Sequence, residues 1–178
     1  MGQLLTVASG GKLIQDVSHS GSHSLVAKSL DTGNLIKAKY AVHLNTNSIH
    51  HQMFYPYNLS ESAYVPLGIV PPHARSKHHV LGTNKIVFEK DELEIVYYPL
   101  LKGIAVQGHP EMMPSTPFGQ YINRCLSMIL DGSMDEKCKV NIKKIYKEND
   151  FLDTSTVVRS FLLENKNVII GHHTKQTA

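Results

Sequence analysis

The stretch from Gly103 to Glu111 constrains this chain most, because a short apolar strand ends there in two ionisable side chains. The small and β-branched residues 104–106 predict a buried strand. His109 and Glu111 follow with only Pro110 between them. Residues two apart in an extended chain point to the same side, and proline restricts both its own φ and the residue before it. The pattern predicts an imidazole and a carboxylate held close together.

That pair suits a general base and the group that orients it. A histidine accepts a proton from a nucleophile only when its ring is held in one tautomer, and a carboxylate on the other ring nitrogen does this. The same residues, 108–111, also suit an ordinary polar turn at the end of a strand, so both interpretations stay open on this evidence.

Composition and charge narrow the class of protein. The 178 residues are 42% hydrophobic and 19% charged, which is typical of one globular domain. A net charge of +3, spread evenly, argues against nucleic acid as a partner. The sequence has no apolar run long enough for a membrane span and no signal-peptide pattern at its N-terminus. We expect a cytoplasmic protein without a membrane partner.

The N-terminal half predicts short elements joined by polar segments. A helix over 3–8 ends at the glycines 10–11, and an extended piece follows at 12–17. A Ser/Gly/His loop is expected over 18–24. The next strands are expected at 25–27, 35–36 and 40–42, with a turn at 31–34. A polar loop over 45–52 and a long loop over 53–82 are predicted beyond them.

The C-terminal half predicts strands at 86–88 and 93–98, then a helix from Thr116 to Asp131. Cys125 lies on the apolar stripe of that helix, so we expect a buried structural thiol. Cys138 stands between two lysines and is expected to be exposed. Two cysteines at this spacing make neither a disulfide framework nor a zinc site. From residue 133 onward we expect an extension outside the main core, with a helix at 156–163 and a strand at 168–170.

Three separated segments together resemble class I glutamine amidotransferases, and most closely their γ-glutamyl-γ-aminobutyrate hydrolase branch. The resemblance covers about residues 3–130. It is carried by Gln3-Leu4-Leu5 with Ala8, Gly10-Gly11, Leu13 and Gln15-Asp16, by Asn47-Ser48-Ile49-His50-His51-Gln52, and by Gly103, Val106-Gln107 and His109-Pro110-Glu111.

The resemblance implies a fold and an activity. The fold would be a three-layer α/β, flavodoxin-like arrangement with a mainly parallel sheet, represented here by its C-terminal part over 1–132, with 133–178 as an extension. The activity would be hydrolysis of the γ-amide of glutamine or of a γ-glutamyl compound by a Cys-His-Glu triad. His109 and Glu111 match the triad, Gln3 matches a substrate-holding glutamine, and Ser48 with His51 fall in the loop beside the substrate's amino-acid end.

The triad cysteine of that family stands four places before the residue that matches Gln3, which is ahead of Met1. We therefore expect an N-terminally truncated member that is inert alone, since no acyl-enzyme forms without the sulfur. Central strands of a parallel sheet need neighbours on both sides. A polypeptide supplying the missing N-terminal half is an expected partner, beside glutamine or a γ-glutamyl small molecule, and no cofactor is expected.

Two alternatives remain open from the sequence. The chain would be a non-catalytic binding or interaction protein that keeps the pocket loop, or the paired histidines would bind a metal. These pairs are His50-His51, His78-His79 and His172-His173. Adjacent residues in a strand point to opposite faces, so each pair offers one ligand at most to a given site. We therefore expect no metal site.

Overall fold

The structure, a computed structural model, describes residues 2–17, 21–48, 50–77, 79–81, 84–86 and 88–148, without the side chains of 48, 81, 86 and 146. The helices are α1 Gly2–Ala8, α2 Pro117–Leu130, α3 Ser133–Lys137 and α4 Ile142–Glu148. The strands are β1 Lys12–Ile14, β2 Asp16–Val17, β3 Gly21–Lys28, β4 Tyr40–Ser48, β5 Met53–Tyr55, β6 Val65–Ile69, β7 His79–Leu81, β8 Asn84–Ile86, β9 Leu93–Tyr98 and β10 Gly103–Val106. Within these ranges, no helix has the length and apolar character needed to cross a membrane.

A five-stranded sheet with the order β10-β9-β6-β3-β4 forms the centre of the fold. Its pairings are antiparallel, as are those of the small β1-β5 and β2-β7-β8 sheets. The expected mainly parallel sheet is therefore wrong for the described strands. Parallel neighbours need a long crossover, usually a helix, and no α-helix lies between β1 and β10 in the described ranges. The fold is mixed α/β.

Both faces of this sheet are buried, and β9 shows it most clearly because all six of its residues are buried. Alternate side chains point to opposite faces. Ile95 and Tyr97 pack in the core cluster that includes Phe118 of α2. Val96 and Tyr98 pack in the second cluster, against which Leu5 of α1 lies. The two helices α1 and α2 therefore cover opposite faces of the sheet.

Helix α2 confirms the helix predicted from sequence. Its N-cap is Thr116, whose Oγ1 accepts a hydrogen bond from the Gly119 N–H at 3.2 Å, and Pro117 occupies the first turn. The residues predicted to form its buried stripe include Phe118 and Cys125, which are fully buried.

Helix α1 is fixed against β10 by close backbone approach. A Cβ on Gly2 would lie 2.8 Å from the backbone N and O of Val106, so only glycine fits there. At the other end, a Cβ on Gly103 would meet the Leu5 side chain at 3.3 Å. The N-terminus of α1 therefore lies beside the C-terminal end of β10, and the two elements run in opposite directions.

The long loop predicted over 53–82 is wrong, because β5, β6 and β7 lie within it and β6 is a central strand. Proline and glycine are poor strand residues, and β6 carries Pro66 and Gly68. The pairing with β9 shifts register at those two positions, which accommodates them. The polar segment at 45–48 is also not a loop, since β4 continues to Ser48.

Residues 35–36, predicted as a strand, instead form a turn tied down by a buried lysine. The Lys28 ammonium donates hydrogen bonds to the Leu35 carbonyl at 2.8 Å and the Ile36 carbonyl at 3.2 Å. Burial lowers the Lys28 pKa. The two carbonyl acceptors partly replace the water that the Lys28 ammonium loses on burial. The same hydrogen bonds hold the backbone of residues 35–36 in a turn, although two apolar residues in a row suggested a strand.

Residues 133–148 pack against the core and do not lie outside it as expected. Met134 and Cys138 are fully buried in the cluster that contains Phe118, here called the α2-side cluster. Ile145 belongs to the cluster against which Leu5 packs, here called the α1-side cluster. Cys138 was predicted to be exposed, and this is wrong because its flanking lysines do not determine the direction of its own side chain. The predicted helix at 156–163 and strand at 168–170 lie outside the described residues.

We predict that both thiols are unreactive in the folded chain. Burial raises the pKa of Cys125 to about 12 and that of Cys138 to about 11, so neither is a thiolate at pH 8. Iodoacetamide followed by intact-mass measurement should show no modification without denaturant and two modifications in guanidinium. Rapid labelling of either cysteine in the native protein would contradict this packing.

We predict that Phe118→Ala lowers the free energy of unfolding by about 3–5 kcal/mol, because it empties a site in the α2-side core. The matched control is Leu130→Ala on the same helix, where the side chain is 88% exposed and the change should stay within about 0.5 kcal/mol. Urea unfolding followed by circular dichroism measures both. Equal effects of the two substitutions would mean that α2 does not pack as described.

Candidate active site

A surface groove of about 790 Å³ lies where α1, β10, α2 and the turn after β10 meet. Its floor includes Ile104 and Val106 of β10. The remaining lining residues are Gly2, Gln3, Gln15, His50, His51, Gln52, Gln107, Gly108, His109, Pro110, Glu111, Ile122 and Leu126. Glu111 is the single carboxylate among the described lining residues, and no lysine or arginine is among them.

His109 and Glu111 form a direct pair at one end of this groove. Their Nδ1 and Oε1 atoms are 2.7 Å apart, and the two side chains are 40% and 67% exposed. The hydrogen bond from His109, together with one from the backbone, lowers the Glu111 pKa. With Nδ1 donating its proton to the carboxylate, Nε2 carries the lone pair that accepts a proton from a nucleophile.

The end of β4 holds this pair in place. The Asn47 Oδ1 atom accepts a hydrogen bond from the His109 N–H at 2.7 Å. A Cβ on Gly108 would collide with Thr46 Oγ1 and lie 3.1 Å from the Asn47 carbonyl oxygen, so a side chain there would push the turn off β4. A short 3₁₀ turn from Pro110 to Met112 then returns Glu111 to the imidazole. The pair is thus positioned by backbone contacts to the sheet.

A buried amide connects β10 with the loop at 50–52. Gln107, which is 6% exposed, donates from Nε2 to the Gln52 carbonyl at 2.7 Å. The same Nε2 lies 3.0 Å from His50 Nδ1. These contacts fix the loop beside β10 and leave His51 exposed at the groove.

A buried carboxylate lies beneath this loop. Glu94 of β9 is fully buried, and its Oε1 is 3.4 Å from His23 Nε2 and 3.9 Å from His50 Nε2. Its backbone carbonyl accepts a hydrogen bond from the Gln107 N–H at 3.0 Å. Burying a carboxyl group is costly unless polar groups lie close to it, and the two imidazoles provide such groups. Glu94 therefore links the core to the loop at 50–52.

Sequence reasoning placed four residues that the structure brings to one groove: Gln3, His51, His109 and Glu111. Ser48 is the last residue of β4, and its side chain lies outside the described part. Asn47 and Gln107 lie in the segments that carry the family resemblance, but sequence reasoning assigned no role to either side chain. His23 and Glu94 were missed as a pair, although a carboxylate within the apolar run 93–98 was a signal.

The histidine pairs do not assemble a metal centre in the described part of the chain. No group of three or more His, Cys, Asp or Glu side chains there is arranged to hold a metal ion. His79 instead pairs with the buried Glu92, with Nε2 and Oε1 2.6 Å apart. His78, His172 and His173 lie outside the described residues.

Comparisons with known proteins give one distant likeness. No protein-family model and no curated protein matches the sequence. A solved structure from Thermoplasma acidophilum, described as a candidate GMP synthase component, is similar, with a TM-score of 0.47 and 15% identity. The alignment covers 75% of this chain and 55% of that one, so the chain spans about half the length of this neighbour. A likeness this distant decides neither the fold nor the function.

We predict that the Glu111 carboxyl titrates below its ordinary value of 4.5 and that His109→Ala moves its midpoint upward. A depressed folded-state pKa means that the contact stabilises the fold above pH 4.5 and that this contribution is lost as the pH falls through the lower midpoint. Carbon-13 NMR of the Glu111 side-chain carboxyl measures the midpoint. An unchanged midpoint in His109→Ala would show that the two groups do not interact, and His43→Ala, at an exposed position on β4, is the control.

Proposed function

We propose that His109 and Glu111 are the base and the orienting carboxylate of a thiol-dependent amide-cleaving centre. The observation that carries this proposal is the 2.7 Å contact between His109 Nδ1 and Glu111 Oε1 at the end of a groove. The substrate would be the γ-amide of glutamine or of a γ-glutamyl small molecule. This class follows from the resemblance of the three sequence segments to class I glutamine amidotransferases.

The thiol would come from a second polypeptide that supplies the N-terminal half of the domain. The described thiols, Cys125 and Cys138, are fully buried in the core and neither lines the groove. Burial raises both pKa values, whereas a nucleophilic thiol needs a lowered one. The chain alone would therefore be inert, and its part would be to hold the imidazole ready.

The proposed chemistry proceeds in two steps. His109 Nε2 takes the proton of the partner's thiol, and the thiolate attacks the γ-carbonyl carbon. The tetrahedral intermediate collapses to a thioester as that proton passes from Nε2 to the leaving amine. His109 then removes a proton from water, which attacks the thioester and releases glutamate, and the proton returns from Nε2 to the sulfur. Glu111 holds the imidazole in the required tautomer and stabilises its charged form in both steps.

Substrate recognition would use the uncharged groups of the groove. Gln3 lies at the first turn of α1, and His51 lies in the loop that Gln107 fixes against β10. Amide and imidazole groups donate and accept hydrogen bonds, which suits the amino and carboxylate groups of a glutamine-like molecule. Ser48 is proposed for the same role from the sequence resemblance.

The second candidate function is a non-catalytic binding or interaction protein. It is favoured by one specific observation, namely that no cysteine is among the described residues that line the groove. Such a protein would bind a γ-glutamyl compound or a partner at the groove and form no covalent intermediate.

Labelling with a chloromethyl-ketone analogue of glutamine separates the two functions. We expect a covalent adduct, measured by intact mass, when the chain is mixed with the polypeptide encoded in frame directly upstream of Met1, and none with either component alone. His109→Ala should slow labelling about 10²-fold or more, since it removes the base. The control His43→Ala, at an exposed position on β4, should leave the rate unchanged.

Two results would favour the binding protein. One is an upstream frame that lacks a cysteine two codons before Met1, which is four places before Gln3. The other is saturable binding of glutamine to the mixture, measured by calorimetry, without any adduct.

A further inference from the structure

A cavity separate from the groove lies where the end of β3, the turn after it and the start of β6 meet. Its volume is about 260 Å³. The lining combines one cationic, one anionic and one phenolic side chain with three apolar residues, namely Lys28, Glu61, Tyr64, Ile36, Val65 and Pro66. Pockets for small molecules have this composition, with apolar walls and a few polar groups that orient the ligand.

Lys28 places a buried cation at this cavity, since only 5% of its surface is exposed. Its Nζ donates hydrogen bonds to the carbonyls of Leu35 and Ile36, and the Tyr40 ring centroid lies 5.3 Å from Nζ. Carbonyl oxygens and a ring face carry only partial negative charge. The Cys138 thiol also acts on Lys28, but burial raises the pKa of that thiol to about 11, so it is neutral at pH 7.

The charge of Lys28 is not matched by a carboxylate in the part of the chain that the structure describes. The ion pairs there join other residues. An ammonium group has three N–H donors, and the two carbonyls occupy two of them. Burying a cation is costly unless an anion lies close to it. A ligand that brings an anionic group to Lys28 would therefore remove an unfavourable feature of the fold.

Glu61 supplies the opposite charge at the same cavity. It is exposed, and it lies close enough to Tyr64 that its charge adds to the effect of burial in raising the Tyr64 pKa. Lys28 and Glu61 line one cavity but do not form an ion pair with each other. A phosphate group would attract Lys28 and be repelled by Glu61. A ligand with one anionic and one cationic group suits both side chains.

The size and walls of the cavity limit what else the ligand carries. A water molecule takes about 30 Å³ in the liquid, so 260 Å³ accommodates roughly nine water-sized groups. An aliphatic amino acid such as leucine has about nine non-hydrogen atoms and fits that volume. Its carboxylate and ammonium are attached to one carbon, and its side chain suits the apolar residues Ile36, Val65 and Pro66.

We propose that this cavity binds a free α-amino acid with an aliphatic side chain. The carboxylate of the amino acid accepts a hydrogen bond from Lys28 Nζ, and its ammonium group pairs with Glu61. Its side chain packs on Val65 and Pro66. The described lining of the groove shares no residue with this cavity. The inference therefore goes beyond the proposed amide-cleaving function and does not depend on it.

Calorimetry on the full chain tests the ligand with three compounds. These are leucine, leucinamide, which lacks the carboxylate, and 4-methylpentanoate, which lacks the amine. Leucine should bind with a Kd below about 1 mM, and each analogue at least about tenfold more weakly. Equal binding of leucinamide, which resembles the N-terminus of a peptide, would overturn the role of Lys28. Equal binding of 4-methylpentanoate would overturn the role of Glu61. Absence of saturable leucine binding up to about 10 mM would overturn the site itself.

Glu61 provides a variant that leaves the core intact, because the residue is exposed. Glu61→Gln removes the charge and should weaken leucine binding at least about tenfold, without weakening the binding of 4-methylpentanoate. The matched control is Glu89→Gln, at an exposed position that does not line the cavity, with an expected change below about twofold. Equal effects of the two substitutions would overturn the assignment. Weaker leucine binding in Leu126→Ala would place the ligand in the groove instead.

The Lys28 ammonium gives a test that needs no variant, which matters because Lys28 also holds the turn at 35–36. Burial lowers the Lys28 pKa, and a bound carboxylate acts in the opposite direction. Saturation with leucine should therefore raise the Lys28 pKa, as measured by carbon-13 NMR of the lysine ε-carbons. At fixed pH the signal of Lys37, an exposed lysine outside the cavity lining, should not move. An unchanged Lys28 pKa with leucine bound would overturn the proposal.

Discussion

The pairing of β10 with β9 is the contact on which the candidate site depends. β9 is buried along its whole length, so its position in the sheet is fixed by the cores on both faces. Through four registered pairs it fixes β10, whose end carries the imidazole and the carboxylate. The His109–Glu111 pair is exposed, yet its backbone follows a strand that is anchored to the fully buried β9. A site on a rigid element of this kind keeps its geometry without a ligand.

β9 also brings a carboxyl group into the core, that of Glu94. Burying a carboxyl group is costly unless polar groups lie close to it. His23 of β3 and His50 of the loop bring their Nε2 atoms to 3.4 and 3.9 Å from Glu94 Oε1, from two separate parts of the chain. Gln107 then joins the same loop to β10 through the Gln52 carbonyl. The polar core and the floor of the groove are therefore one connected unit.

Features that depend on residues close together in the sequence were predicted correctly, and features that depend on tertiary contacts were not. Three features depend on neighbouring residues and were predicted from the sequence, namely the helix that begins near Thr116, the strand at 93–98, and the closeness of His109 to Glu111. β6 was missed because Pro66 and Gly68 are poor strand residues that only the tertiary context tolerates. The burial of Cys138 depends on α3 docking on α2, which flanking lysines do not reveal. The resemblance implied a mainly parallel sheet, whereas the described sheet is antiparallel. Parallel neighbours need long crossovers, usually helical, and the connections between the described strands are not of this kind.

The start of α1 and the His109–Glu111 pair lie at the same end of the groove. α1 runs opposite to β10 and begins beside Val106, so Gly2 and Gln3 line the groove at the end of β10 that leads to His109. Because Glu111 contacts Nδ1 of the imidazole, Nε2 is the ring nitrogen left for another group. The close approach of α1 to β10, which requires glycine at position 2, therefore determines what lies beside the imidazole.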